Sequence, residues 1–217
     1  MTNKNVNKET ITAAALDILH EKGLSHVTMR NVAAKLEVKA PALYWYIKDK
    51  QELLQLIAEH ISTLITFPEP KENWEEEIVL LAMENRQVLL SIPDGAKIMM
   101  DTLPITDKRL TLINKTLEIF HRAHFPEDKI FYAATLISSY VTSFVLDEQT
   151  QEKMLEEMGV EEVYKQFTHA IMSIPKEVIP YVHHHMLYRK GKPNDEENFL
   201  IGLKIIIKGI SAEIVNQ

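Results

Sequence analysis

Thr28-Met29-Arg30-Asn31-Val32-Ala33-Ala34-Lys35-Leu36-Glu37-Val38-Lys39-Ala40-Pro41-Ala42-Leu43-Tyr44-Trp45-Tyr46-Ile47-Lys48-Asp49-Lys50 is the stretch that decides the fold. Thr28 offers a side-chain oxygen to cap a short helix, whose Val32, Ala33 and Leu36 recur at the spacing of one buried face. Glu37-Val38-Lys39 then makes a tight turn. Pro41 opens the next helix, running through Tyr46, because its missing N–H costs nothing at a first helical position. A helix this short cannot bury Tyr44, Trp45 and Tyr46 together, so rings must face outward beside Lys48 and Lys50 while Leu43 and Ile47 pack inward. Rings with hydroxyl and indole donors, flanked by cations, suit a surface that packs on sugar and donates to phosphate. The dimensions are those of a helix-turn-helix, although a generic three-helix bundle has the same outline.

Working outward, Ile11, Ala15, Ile18 and Leu19 mark one face of a helix from about Lys8 to Lys22, which Gly23 can stop. On the other side, Asp49 and Glu52 predict a capping box for a helix to about Thr66, ended by Phe67-Pro68-Glu69-Pro70. Asn73 with Glu76 starts a long helix to about Leu90, Pro93-Asp94 opens a short one, Thr106 caps one to about His124, and Pro126 begins an apolar one. Glu161 to Met172 and Lys176 to Leu187 read as further helical pieces. After the polar loop Arg189 to Pro193, Asn194 and Glu197 box a last helix with a broad stripe of Phe199, Leu200, Leu203, Ile206, Ile207 and Ile210. Strand-like alternation is scarce, so the expected fold is all-α. It divides into a helix-turn-helix domain over residues 1–50 and a helical ligand-binding and dimerisation domain over residues 51–217. The last-helix stripe, with Ile130 to Leu146, reads as too large for one chain to hide and predicts a two-fold interface of four helices.

The charge is divided along the chain. Residues 1–50 hold 8 Lys/Arg against 5 Asp/Glu, whereas the rest holds 16 against 26, within an overall charge of −7. A basic end on an acidic body suits local contact with a polyanion. The absence of cysteine removes disulfides, thiolate metal sites and cysteine nucleophiles, and suits a reducing cytoplasm. The six glycines (Gly23, Gly95, Gly159, Gly191, Gly202, Gly209) are too scattered for a phosphate-cradling loop. No signal peptide is evident at the N-terminus. The uncharged run Ile130 to Leu146 carries Thr135, Ser138, Ser139, Tyr140, Thr142 and Ser143, so it reads as a buried helix rather than a bilayer span.

His121 and His124, three apart on a helix, are the best candidates for a metal pair in a rival helical-bundle enzyme; a solvated helix face is the plainer reading. His183-His184-His185 are spread about 100° apart on a helix and do not converge. The runs Glu75-Glu76-Glu77, Glu156-Glu157 and Glu161-Glu162 read as solvated faces. No G-x-S-x-G context supports a hydrolase. Neither a metal nor a resident cofactor is expected. Met83, Met99, Met100, Phe120, Phe131, Thr135, Ser138, Ser139 and Thr142 mix thioethers, rings and small hydroxyls in the way an apolar ligand cavity is lined.

The runs Thr28 to Ala33, Lys35 to Val38 and Pro41 to Leu54 resemble the DNA-binding domain of the tetracycline repressor (TetR) family, with Leu43-Tyr44-Trp45-Tyr46 and Lys48-Asp49-Lys50-Gln51-Glu52-Leu53-Leu54 the specific parts. Asn73-Trp74, Leu89 to Lys97, Thr102-Leu103-Pro104 and Val145 to Gln149 extend the resemblance into the body. The family's turn residue, usually glycine, is Glu37 here. The resemblance implies a homodimeric regulator of double-stranded DNA. Arg30 matches a guanine-reading position. Ala40, Pro41 and Ala42 match base-facing positions, with Ala40 replacing an amide residue so that the preferred operator differs. Thr28, Tyr44 and Lys50 match phosphate contacts, Tyr46 lies toward the groove, Trp45 belongs to the same DNA-binding run, and Lys48 adds attraction. In the body, a magnesium-binding histidine position is Met99 and an arginine position is Leu103, while Thr102 persists and Asp147 stands for glutamate. The expected effector is therefore a largely apolar organic molecule bound without magnesium near Met99, Thr102, Leu103, Thr116, Phe120, Phe131, Thr135, Ser138 and Ser139, with Asp147 reaching in from the partner subunit.

Overall fold

In the first fifty residues the expected buried faces and the Thr28 cap are present, while the segment opened by Pro41 changes helix type. In a computed structural model that describes residues 6–186 and 196–215, α1 spans Lys8–Lys22 and α2 Met29–Lys35, with the Thr28 hydroxyl accepting from Asn31 N. Gly23 ends α1 at φ +79°, a conformation that side chains rarely adopt. The segment Ala40–Trp45 closes as a tight 3₁₀ helix rather than an α-helix, with Ala42 N bonded to Lys39 O and Tyr46 N to Leu43 O. Such i→i+3 turns occur in short pieces of chain.

Asp49 caps α3 (Lys50–Leu64) by accepting from Glu52 N, and the Glu52 carboxylate reaches back to Lys48 N, one residue beyond the usual box. One apolar face of α3, including Leu53, Ile57 and Ile61, is fully buried. It packs on α1 toward the head, and on α5 (Gly95–Met100) and α6 (Asp107–Arg122) in the body. Asn73 caps α4 (Trp74–Ser91) through Glu75 N. Thr106 precedes α6, but its hydroxyl makes no capping bond and is buried without a partner.

α7 runs for 32 residues, Glu127–Met158, well past Leu146, because no breaker intervenes before Gly159 at φ +81°. By length and composition it is apolar enough to cross a bilayer. Here it is the spine of the body, packed against α4, α5, α6, α8 (Val160–Met172) and α10 (Glu196–Val215). α9 is shorter than expected, Pro180–Met186, because residues 175–179 form a turn in which Val178 N bonds Pro175 O. Its expected end at Leu187, the loop Arg189 to Pro193 and the Asn194 cap lie outside the described residues. Among the described residues there is no strand.

The α10 stripe needs correction. Phe199, Leu203, Ile207 and Ile210 are buried within the monomer and Ile206 is half-buried, whereas Ile201 and Ile205 face out. The face named from the sequence thus fills this chain's own core. Phe199 stacks on Tyr140, whose hydroxyl donates to Phe199 O at 2.8 Å. Gly202 makes that approach possible: a Cβ there would sit 2.2 Å from the Tyr140 oxygen.

Candidate nucleic-acid interface and internal cavity

Leu43 and Ile47, both buried, pin the 3₁₀ segment to the head from one side. This leaves Tyr44, Trp45 and Tyr46 all outside, Trp45 at 88 % exposure. Arg30, Pro41, Lys48 and Lys50 are exposed, and Thr28, Ala40 and Ala42 half-buried. Every DNA-facing residue read from the sequence is therefore reachable from solvent. The cations of the head fall into two groups. Lys35 is engaged by Glu21 and Asp17, which raise its pKa, and Lys8 by Glu52. Arg30, Lys48 and Lys50 have no ion-pair partner among the described residues, and neither does Lys39, which the motif reading passed over. Lys39 immediately precedes the 3₁₀ segment as its N-cap. Unpaired donors on a thin, ring-bearing edge are what a duplex backbone requires. Glu37 holds the turn between the two reading elements at φ +56°.

The body encloses a cavity of about 320 Å³ between α4, α5, α6 and α7. Met99, Thr116, Phe131, Thr135, Ser138 and Ser139 line it, and the last four are exposed, so the cavity opens on the α7 side. Thr102, Leu103, Phe120 and Asp147 are not in its wall. Thr102 is buried, with its hydroxyl turned to Ile98 O and Arg109. Leu103 is exposed. Phe120 completes a ring cluster with Trp74 and Phe125, at centroid distances of 5.6 and 4.9 Å. Asp147 lies on an exposed face of α7. Of the wider set, Met83, Met100 and Thr142 also stand outside the wall. The sequence reading missed Leu81 and Asn85 on α4 and Arg109, Leu112 and Ile113 on α6. The signal was present as helical register, since Arg109, Leu112, Ile113 and Thr116 share a face.

Polar bonds tie the cavity's floor to the head. Arg109 donates to Met99 O, Thr102 O, Thr102 Oγ1 and Leu103 O, gathering the end of α5 and the following turn. From α3, Gln51 donates to Asp101 O, Gln55 to Leu103 O, and the Glu59 carboxylate accepts from Lys108 N. Gln51, Gln55 and Glu59 are four apart and share one face. At the other end of α5, Asp94 Oδ2 accepts from Leu24 N of the head at 3.3 Å.

Elsewhere, His121 meets the Glu127 carboxylate at 3.3 Å, while His124 lies past the end of α6 at φ +56°, so the two histidines do not share a helix. Among the described residues no three His, Asp or Glu side chains are grouped to hold a metal ion.

A helical head with an exposed reading segment, joined by one helix to a cavity-bearing helical body, defines a DNA-binding regulator of the helix-turn-helix class. Residues 11–57 match the bacterial regulatory proteins of the tetR family, and residues 67–214 match the tetracyclin repressor-like C-terminal domain. The chain is 27% identical over 212 residues to the tetracycline repressor protein class D of Escherichia coli, covering 96% of this chain and 91% of that one. It superposes with a TM-score of 0.81 on the Streptomyces coelicolor TetR family protein ActR in complex with (S)-DNPA, at 25% identity over 95% of this chain and 98% of the other. A TetR point variant from Acinetobacter baumannii AYE in complex with minocycline gives a TM-score of 0.71 at 27% identity, over 96% and 95%. The chain belongs to the tetR family of transcriptional regulators.

Proposed function

We propose that this protein is a homodimeric cytoplasmic repressor that holds a palindromic operator and releases it when a small organic ligand with a largely apolar body enters the cavity. It works by binding and has no turnover of its own. Residues 1–50 are the reading head and residues 51–217 the effector and dimerisation body, with α3 as the joint. The observation that carries the reading is the bonded face of α3: Gln51, Gln55 and Glu59 couple the head to the α5–α6 turn that Arg109 and Met99 share with the cavity. A ligand that changes that turn moves the head, provided it binds one arrangement better than the other.

In the head, Arg30 reads one base pair and Ala40, Pro41 and Ala42 face the bases. Thr28, Tyr44 and Lys50 hold phosphate, and Trp45, Tyr46 and Lys48 line the groove. In the cavity, Met99 supports magnesium-free binding, because a thioether is a poor ligand for a hard cation. Thr116, Phe131, Thr135, Ser138 and Ser139 contact the ligand, while Asp147 reaches the site from a second copy. That copy covers Tyr132 and Leu136 on α7, Ile201 and Ile205 on α10, and Val160, Tyr164 and Phe167 on α8, all at least half exposed in the single chain. The test is a duplex selected from a random pool, bound with a steep salt dependence, and then challenged with ligands. Release by magnesium–tetracycline alone, abolished by chelator, would overturn the magnesium-free reading.

A further inference from the structure

Among the described residues of the body two arginines are buried, and only one of them meets a carboxylate. Arg86 on α4 presents its Nε and Nη2 edge to both oxygens of Glu148 on α7, at 3.0 and 2.5 Å. Arg109, 7 % exposed on α6, is held differently. Its Nη1 donates to Thr102 O, Thr102 Oγ1 and Leu103 O, and its Nη2 to Met99 O, at 2.7 to 3.0 Å. These acceptors carry only partial charge. Arg109 Nε has no acceptor among the described residues, and no carboxylate stands within ion-pair distance. Glu59 acts on it only at longer range and already accepts from Lys108 N. Burial lowers the Arg109 pKa, yet a guanidinium stays protonated. The cavity wall therefore holds a cation with no carboxylate in contact among the described residues, and with Nε, one of the two donors that Arg86 turns to its carboxylate, left without an acceptor.

Asn85 on α4 lines the same cavity, and its Oδ1 is buried without a hydrogen-bond partner. A buried acceptor left unpaired is destabilising unless something donates to it. Between these two polar groups the lining is mainly apolar, including Leu81, Leu112 and Ile137.

Resting on the reading of this cavity as the effector site, we propose that its ligand is an amphipathic organic anion, with its acidic group on Arg109 and a hydrogen-bond donor against Asn85 Oδ1. The apolar body fills the space between them. An anion on Arg109 competes for donors that now hold Met99, Thr102 and Leu103, and so loosens the turn to which Gln51 and Gln55 are tied.

Two fluorescent probes with one ring body separate the arms. Anilinonaphthalene sulfonate carries an anion; phenylnaphthylamine is its neutral counterpart, and both carry the bridging N–H. The sulfonate is expected to bind the full-length protein about tenfold tighter or better than the amine, a charge-assisted preference. Arg109→Gln should erase the preference and Asn85→Leu should weaken both probes alike. Ser138→Trp, which fills the mouth, should abolish both. Because Arg109→Gln also uncaps α5, Arg109→Lys serves as the second variant: it keeps the charge and should retain part of the preference. Equal binding of both probes to the unaltered protein, or a preference unchanged by Arg109→Gln, overturns the anion assignment and leaves the cavity reading standing. Binding of neither probe, or binding unchanged in Ser138→Trp, overturns the cavity reading itself.

Discussion

In the head, Arg30, Lys39, Lys48 and Lys50 are exposed and have no ion-pair partner among the described residues, whereas in the body Arg86 and Arg109 are enclosed. An exposed unpaired cation costs little, since water solvates it, and it stays available to a phosphate. A buried one must be matched by a charge or by several oriented dipoles, or it destabilises the fold. The same residue type is thus a recognition element at the surface and either a strut or a ligand anchor inside. Its surroundings, rather than its identity, decide which.

Removing a charge from each setting tests that contrast. Glu148→Ala leaves Arg86 buried without its carboxylate and should cost about 3–5 kcal/mol of unfolding free energy in a denaturant titration. A loss no larger than that of a surface pair would break the comparison at the body's end. In the head, Arg30→Ala should leave the melting temperature alone and cost about 1–3 kcal/mol of binding at one base pair, while Lys50→Ala weakens all duplexes and reduces the salt slope by about one. Equal losses for Arg30→Ala on specific and random DNA would remove its base-reading role. Glu37→Gly relieves a left-handed side-chain residue and should raise the stability by about 1 kcal/mol, read as a shift in the denaturation midpoint. Smallest of all, Trp45→Ala should change stability by less than about 0.5 kcal/mol, since the side chain is largely exposed, while still lowering affinity for DNA. A large drop in midpoint for Trp45→Ala would show that the ring has a structural role in the dimer.

The head was legible because its signals are local. The Thr28 and Asp49 caps, the Pro41 start and the Leu43–Ile47 spacing each act within a few residues, and each meets its expected partner or burial. The body was less legible for two physical reasons. α10 is apolar nearly all round, so periodicity alone did not say that Phe199 and Leu203 turn inward while Ile201 and Ile205 turn out. Placing Phe120 required knowing that Trp74, on a helix far away in sequence, closes on it together with Phe125 just past the end of α6. Arg109 and Asn85 were passed over because a charge and an amide on amphipathic helices look like solvated positions until the fold buries them.

α5 can be viewed as a short door between head and body. At one end a single bond, from Leu24 N to Asp94, acts as a latch; at the other, Gln51 and Gln55 of α3 form a pair of hinge pins on Asp101 and Leu103. α5 is seated on α4 and α7, with Ala96 N bonded to Gln149 on α7, so the latch and the pins connect the head to a helix that belongs to the body's core. If the latch opens first, the head swings about the far end of α5. If the pins draw first, it rolls about Leu24 instead. On the proposed release, the end of this six-residue helix that yields first would set the direction in which the two heads part.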